Sequence, residues 1–247
     1  MHDTPRLLIG TAGWSLPAAH RDCFAPGPSQ LARYGSVFDA VEINSSFYRP
    51  HLADTYRRWA QSVPASFRFS VKLARSITHE ARLHQPEALL DAFLPPVSAL
   101  GDRLGCLLVQ LPPSLRWQAP LAHAFFDALR QRYPGPVALE ARHASWFHPE
   151  ALAQLLPFGI AQVAADPAPV PAAAQPGPVA QPVYYRWHGS PQMYYSDYAD
   201  AALRQLASAA TAACEQGRTV WCIFDNTAAG AATGNALQLQ RIAGVTV

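Results

Sequence analysis

The sequence predicts a single β/α barrel. Three observations carry that reading: eight short apolar runs rich in β-branched residues, helix-like segments between most of them, and a length of 247 residues, close to the roughly 250 of one such barrel. Alternating strands and helices imply parallel strands joined by crossover helices, and eight of them suit closure better than an open doubly wound sheet. Half of the residues are hydrophobic and 15% are charged, enough for a large core and without a signature of disorder. No internal repeat or second domain stands out, so one domain is expected over residues 1–247.

The predicted strands cover 7–10, 40–44, 67–73, 105–111, 137–142, 160–165, 183–188 and 220–224. Each is four to eight residues of mostly apolar side chains bounded by turn formers. Helices are predicted over 30–34, 53–62, 86–94, 121–133, 149–156, 197–216 and 234–242. The segment 197–216 is the clearest, with Asp197 as its expected N-cap and Gly217 just beyond its end. One stretch breaks the rhythm: residues 166–182 hold six prolines and no charge except Asp166. A long irregular loop is expected there, replacing or shortening the sixth helix and serving as a surface connection or as a flap over the barrel mouth.

Net charge is +2 with nine histidines counted neutral. That balance does not favour a nucleic-acid partner or a membrane surface, so any anion selectivity must be local. Cys23, Cys106, Cys214 and Cys222 show no CxxC spacing, and two of them fall in apolar strands, as in a reduced cytoplasmic protein. No apolar run reaches the roughly 20 residues of a membrane span, and residues 1–10 lack the pattern of a signal peptide. Among 19 basic residues Lys72 is the only lysine, and asparagine stands only at Asn44, Asn226 and Asn235. A composition biased against these two residues draws attention to those that remain, since solvated positions tolerate arginine well.

Active sites of β/α barrels lie at the carboxyl ends of the strands. Here three strands end in polar residues at i and i+2, which strand alternation puts on one face: Glu42 and Asn44, Glu140 and Arg142, Arg186 and His188. Strand three adds Ser70 and Lys72, strand four adds Gln110, and His143 follows strand five. Charges inside apolar strands must pair or meet a ligand, and the repetition points to one shared site. Tyr48 and Trp146 adjoin these strand ends and suit stacking against a sugar or base.

The same residues resemble the YecE-like family, domain of unknown function 72. The resemblance runs in order through Ile9-Gly10-Thr11-Ala12-Gly13-Trp14-Ser15, Val41-Glu42-Ile43-Asn44-Ser45-Ser46-Phe47-Tyr48-Arg49, Phe69-Ser70-Val71-Lys72 with Thr78-His79, and Gln110-Leu111-Pro112-Pro113-Ser114. It continues through Glu140-Ala141-Arg142-His143 with Trp146, Tyr185-Arg186-Trp187-His188-Gly189, and Phe224-Asp225-Asn226 before Gly230 and Asn235-Ala236. It implies a TIM-barrel-like fold with a ligand site and no established activity, and it adds His79 and Asn226 to the candidate ligand residues. Two departures stand out: Asp225, where the family often has asparagine, and few aromatic residues after Ser15.

Several chemistries fit this constellation. In the first, Lys72, Arg142 and Arg186 hold an anionic ligand, phosphorylated or nucleotide-like, with Asn44, Tyr48, His79, Gln110, His143, Trp146 and Asn226 as further contacts. The glycine-rich run 228–235 before the last helix is expected to offer it backbone amides. In the second, a hydrolase, lyase or isomerase acts on that ligand by acid–base chemistry, with Glu42, Lys72, Glu140 and His188 as candidate catalytic residues. Lys72 offers a further option, a Schiff base with a carbonyl substrate, which arginine cannot form. A non-catalytic binding or sensing module and a metal-assisted hydrolase or isomerase are the alternatives. No metal-binding motif is present, no ligand set is assigned to a metal, and the cofactor is left open. Motifs of serine hydrolases, P-loop proteins and Rossmann folds are absent.

Overall fold

The computed structural model describes residues 5–179 and 181–245. Residues 1–4, 180, 246 and 247 lie outside the described residues, and with them part of the amino-terminal stretch and one position of the proline-rich segment. Eight parallel strands form the barrel: β1 (Leu7–Thr11), β2 (Ala40–Ile43), β3 (Arg68–Lys72), β4 (Leu104–Gln110), β5 (Val137–Glu140), β6 (Ile160–Asp166), β7 (Val183–Trp187) and β8 (Val220–Phe224). Their order is β1-β8-β7-β6-β5-β4-β3-β2, the order of a sheet wound into a ring. Around it run α1 (Gln30–Tyr34), α2 (Ser45–Tyr48), α3 (Ala53–Gln61), α4 (Glu87–Ser98), α5 (Ala119–Arg132), α6 (Pro149–Leu155), α7 (Asp200–Glu215) and α8 (Ala231–Ala243).

Strand alternation divides the apolar residues into two cores. Ile9, Val41, Phe69, Val71, Leu107, Val109 and Leu139 face outward and pack under the helices. The helices answer with apolar stripes at helical spacing: Ala122, Phe125, Phe126 and Leu129 on α5, and Leu203, Leu206, Ala207, Ala210 and Ala213 on α7. Each fully buried large apolar side chain contributes on the order of 1.5–3 kcal/mol. The second core fills the lower barrel with Leu8, Ala40, Cys106, Leu108, Ala138, Val163, Tyr184, Trp221 and Ile223. Tyr184 stacks on Trp221 with ring centroids 5.8 Å apart, and Trp221 lies so close to β4 that a Cβ on Gly105 would stand 2.6 Å from its ring.

The ring closes between β1 and β2 by an unusually close approach. A Cβ on Gly10 would lie 2.0 Å from the carbonyl oxygen of Ala40, a distance only glycine permits. Few ladder bonds cross this seam. Ala12 and Glu42 form a single parallel bridge, and Gly13 N donates to Glu42 O at 2.9 Å. Tyr34, fully buried, spans the same gap by accepting from Thr11 N at 2.9 Å and donating to Ala40 O at 3.1 Å.

Several boundaries differ from the sequence expectations. The N-cap of α7 is Ala199; Asp197 instead accepts from Asn235 Nδ2 at 2.6 Å and so ties the β7–α7 loop to α8. Helix α4 runs through Pro95 and Pro96 to Ser98, past the expected stop at 94, because Val97 in its last turn is needed in the core. The proline-rich segment forms only a 3-10 turn, Pro171–Ala174, held to β6 by Gln162 Nε2, which donates to Ala172 O and Gln175 O at 2.8 and 2.7 Å. No described helix is long and apolar enough to cross a membrane.

Candidate functional site

Above the apolar floor the barrel interior turns polar. Tyr184 puts its ring in the floor and its hydroxyl in the next layer, donating to Glu42 Oε2 at 3.1 Å and lying 2.9 Å from Ser70 Oγ. Arg186, two residues along β7, is wholly buried and forks onto Glu42, with Nε to Oε2 at 2.9 Å and Nη2 to Oε1 at 2.6 Å. Its Nη1 donates to Glu140 Oε2 at 3.0 Å, and Nη2 stands 3.0 Å from Asp225 Oδ2. One guanidinium thus bonds carboxylates from β2, β5 and the end of β8.

His188 stands between two of those carboxylates. Its Nδ1 is 3.0 Å from Asp225 Oδ2 and its Nε2 is 2.8 Å from Glu140 Oε1. Arg142 also pairs with Glu140, and its Nη2 lies 2.7 Å from His188 Nε2. Donation by His188 to both carboxylates needs two ring protons, whereas a bond from Arg142 needs Nε2 bare, so the contacts around Nε2 exclude one another. Burial by itself would raise the Glu140 pKa, but the charges of Arg186 first, then His188 and Arg142, outweigh it and hold the carboxyl well below the usual range. Asp225 behaves alike: burial is overcome by Arg186 and His188. Burial opposes the charge of Arg186, yet Asp225, Glu42 and Glu140 together raise its pKa well above the ordinary value.

An open pocket of about 690 Å³ lies at the carboxyl ends of the strands, and of the network Arg142 reaches its lining. Lys72, Arg75, His79, Arg142 and Gln110 are its polar walls, with Tyr194 and the segment 167–169 along one side. Among the described residues no aspartate or glutamate lines it. The start of the proline-rich segment, residues 167–169, borders the pocket, and its 3-10 turn returns to the barrel wall. Phe47 and Tyr48 separate this pocket from an apolar cleft of about 330 Å³, whose wall includes Leu89 and Phe93. Arg75 also borders both and reaches Glu80 at 3.4 Å.

Lys72 differs from the arginines. It is only 6% exposed, and among the described residues no carboxylate comes within ion-pair distance of its ammonium. Nζ sits 4.2 Å from the centre of the Phe47 ring, a cation–π contact. Ser46 fixes the backbone there, its hydroxyl lying 2.8 Å from Ile43 O and 2.7 Å from Lys72 O. Burial first, then the nearby Arg186 charge, lowers the Lys72 pKa to about 8 against the pull of Glu42, Glu140 and Asp225. His79 packs edge-on to Phe47 with centroids 4.8 Å apart, and burial followed by Lys72 lowers its pKa too.

The sequence candidates divide into three groups. Glu42, Glu140, Arg186 and His188 form the buried network; Lys72, His79, Gln110, Arg142 and Tyr48 line the pocket, Tyr48 with 71% of its surface exposed. The others lie apart from the lining. Asn44 starts α2 with its Oδ1 buried and unpartnered, and His143 caps the 3-10 turn Ala144–Phe147 by accepting from Ser145 N. Trp146 is buried against Trp117 and donates to Leu115 O at 2.8 Å. Asn226 Nδ2 donates to Ser196 O and Asn235 Oδ1 at 2.9 and 2.8 Å. The expected amide cradle is not free either, because the amides of Ala228, Gly230 and Ala232 bond Tyr194 O, Thr227 O and Asn226 O. Sequence reasoning missed Arg75 and the network roles of Asp225 and Tyr184. Asp225 had one signal, its departure from the family pattern.

Among the described residues no cluster of three or more His, Cys, Asp or Glu is arranged to hold a metal ion. The carboxylates of the network are instead taken by guanidinium groups.

Comparison with known proteins gives this arrangement a context. A family model described as protein of unknown function DUF72 matches residues 8–247. The UPF0759 protein YunF of Bacillus subtilis (strain 168) is 30% identical over 171 residues, 62% of this chain and 56% of that protein. The UPF0759 protein YecE of Escherichia coli O157:H7 is 31% identical over 175 residues, 68% of this chain and 61% of that protein. The chain thus spans 56–61% of the length of these curated relatives. Among solved structures, a DUF72 family protein from Enterococcus faecalis V583 superposes with a TM-score of 0.81 at 22% identity, covering 100% of both chains. One from Thermotoga maritima MSB8 gives 0.78 at 23% identity, covering 96% of this chain and 98% of that one. At such identities the likeness is one of fold.

Proposed function

The chain belongs to the DUF72 family, described only as one of unknown function, and from its geometry we propose that it binds a small anionic ligand, phosphorylated or nucleotide-like, at the carboxyl ends of its strands. One observation carries the reading: the walls of the 690 Å³ pocket hold Lys72, Arg75 and Arg142 and, among the described residues, no carboxylate side chain. The acidic groups of the buried network are already engaged by Arg186, Arg142 and His188, and Glu80, in the adjoining cleft, stands 3.4 Å from Arg75. An anion entering there meets positive charge and the donors of a guanidinium. Arg142 Nε is buried without a partner, which leaves it a donor to offer. The adjoining apolar cleft behind Phe47 and Tyr48 suits an uncharged ring or chain attached to the anionic group.

The same geometry narrows the catalytic possibilities. Glu140, held ionised chiefly by Arg186, is a poor proton donor near neutral pH and a weak base. Lys72 and His79, both lowered and both facing the pocket, suit proton transfer better.

Titration calorimetry with inorganic phosphate and with a nucleoside monophosphate tests the binding reading. The wild type should bind at least one of them, and Arg142→Gln should weaken binding by roughly 10- to 100-fold, as expected for a lost charged hydrogen bond. Absence of binding by either anion, or unchanged affinity in both Arg142→Gln and Arg75→Gln, rejects it.

A further inference from the structure

Lys72 is the only lysine of the chain, and its position is not that of an ordinary structural cation. The residue is buried, its ammonium reaches no carboxylate within ion-pair distance among the described residues, and it forms part of the pocket wall. A lysine placed to hold the network together would bond Glu42, Glu140 or Asp225, as Arg186 does. A lysine placed only to attract anions would gain nothing over arginine, which this sequence uses at every other basic position. What distinguishes the amine is that it can lose its proton and become a nucleophile.

We propose that Lys72 is an imine-forming residue, whose Nζ condenses with the carbonyl group of a small anionic aldehyde or 2-oxo acid while Arg142 and Arg75 hold the substrate's anionic group. The inference rests on the anion-binding reading, which it deepens by naming the reactive group of the ligand. In the forward step the uncharged Nζ gives its lone pair to the carbonyl carbon, the C=O π pair moves to oxygen, and a proton passes from nitrogen to that oxygen. The carbinolamine then loses its hydroxyl with one proton as water, and the nitrogen lone pair closes the C=N bond. One water leaves for each imine formed, and nothing is oxidised or reduced. His79 lines the same pocket and is held toward its uncharged form, so it supplies a base to carry these protons.

Burial agrees with this role. With a pKa of about 8, roughly a tenth of Lys72 is uncharged at pH 7, about 300-fold more than for a lysine at its ordinary value. Burial comes first, and the charged groups that act on Lys72 are Arg186 on β7, Glu42 on β2, Glu140 on β5 and Asp225 after β8; the pKa of His79, in the π-helical turn Ser76–Glu80, is itself lowered by burial and then by Lys72. The Phe47 ring face meets the ammonium in its charged form, so the lowering comes from burial and Arg186 rather than from this contact.

A single lysine makes the test direct. The intact protein is incubated with glyoxylate or with glyceraldehyde 3-phosphate, reduced with borohydride and read by intact mass and peptide mapping. One adduct per chain on the Lys72 peptide is expected, forming at least about tenfold faster than with uncharged propanal and slowed by inorganic phosphate. Lys72→Arg should give none beyond the chain's α-amino group. Phosphate binding by the wild type together with no Lys72 adduct from either carbonyl overturns the imine and leaves the anion site standing. A Lys72 adduct formed equally fast by propanal, with no phosphate binding, overturns the anion site and with it the proposed substrate class.

Discussion

The guanidinium of Arg186 and the carboxylate of Glu42 meet through two hydrogen bonds, of 2.9 and 2.6 Å, at the centre of the barrel where neither side chain is reached by solvent. Such a pair gains little over well-packed apolar residues, but removal of one partner leaves the others charged and dry. Arg186→Met removes the shared donor of Glu42, Glu140 and Asp225. Urea unfolding should show a loss of about 3–5 kcal/mol. A loss under about 1 kcal/mol would mean that the three carboxylates find other partners.

Lys72 predicts the opposite sign. Its folded pKa, about 8, lies below the ordinary 10.5, so below pH 8 the folded chain bears the full cost of burying the ammonium. Between about 8 and 10.5 the unfolded chain binds more protons, and stability rises with pH through that window. Lys72→Met removes the charge while keeping similar bulk. At pH 7 it should be more stable than the wild type by about 3 kcal/mol, the gap closing to about 1 kcal/mol or less by pH 10. Thermal or urea unfolding of both proteins across this range measures the gap, and a variant less stable at pH 7 would refute the assignment.

Closure of the barrel depends on Gly10 and Tyr34. Gly10→Ala drives a methyl group into the Ala40 carbonyl and should abolish the folded state or leave it insoluble. Tyr34→Phe is milder. It leaves the Thr11 amide without its acceptor and should cost about 1–3 kcal/mol by chemical denaturation. A Gly10→Ala protein with wild-type stability would show that the two strands can part without consequence.

The barrel was legible in the sequence because its strands are short, apolar and separated by amphipathic helices. Their ends were not. The sequence reading carried strands to Asn44, Leu73, Leu111, Arg142 and His188, whereas the ladders stop at Ile43, Lys72, Gln110, Glu140 and Trp187. Side-chain alternation continues through one or two extended residues after hydrogen-bonded partners run out, so pattern alone overshoots. Helix α2 and the π-helical turn Ser76–Glu80 span four and five residues, too few to display a period.

For the site, Glu42, Lys72, Glu140, Arg142, Arg186 and His188 were readable because a charge in an apolar strand is conspicuous. Tyr184 was hidden for the converse reason: it reads as an ordinary strand aromatic, and only the fold brings its hydroxyl to Glu42, 142 residues away. Arg75 stands in a connecting segment where arginine is unremarkable. Trp146 and Asn226 stand beside polar motifs, but their hydrogen bonds are local supports that sequence proximity does not distinguish from ligand contacts.

The seam between β1 and β2 has a bearing on how the protein breathes. Glu42 belongs to it twice: its backbone carbonyl takes the Gly13 amide across the gap, and its carboxylate is clasped by Arg186 from the far side of the ring. A local opening of the seam would draw that carboxylate out of the clasp, so the charge network acts as a latch on the weakest joint of the ring. One side chain, Glu42, therefore ties the seam of the barrel to the buried charge network, and amide protection at Gly13 should be lost together with the Glu42–Arg186 pair.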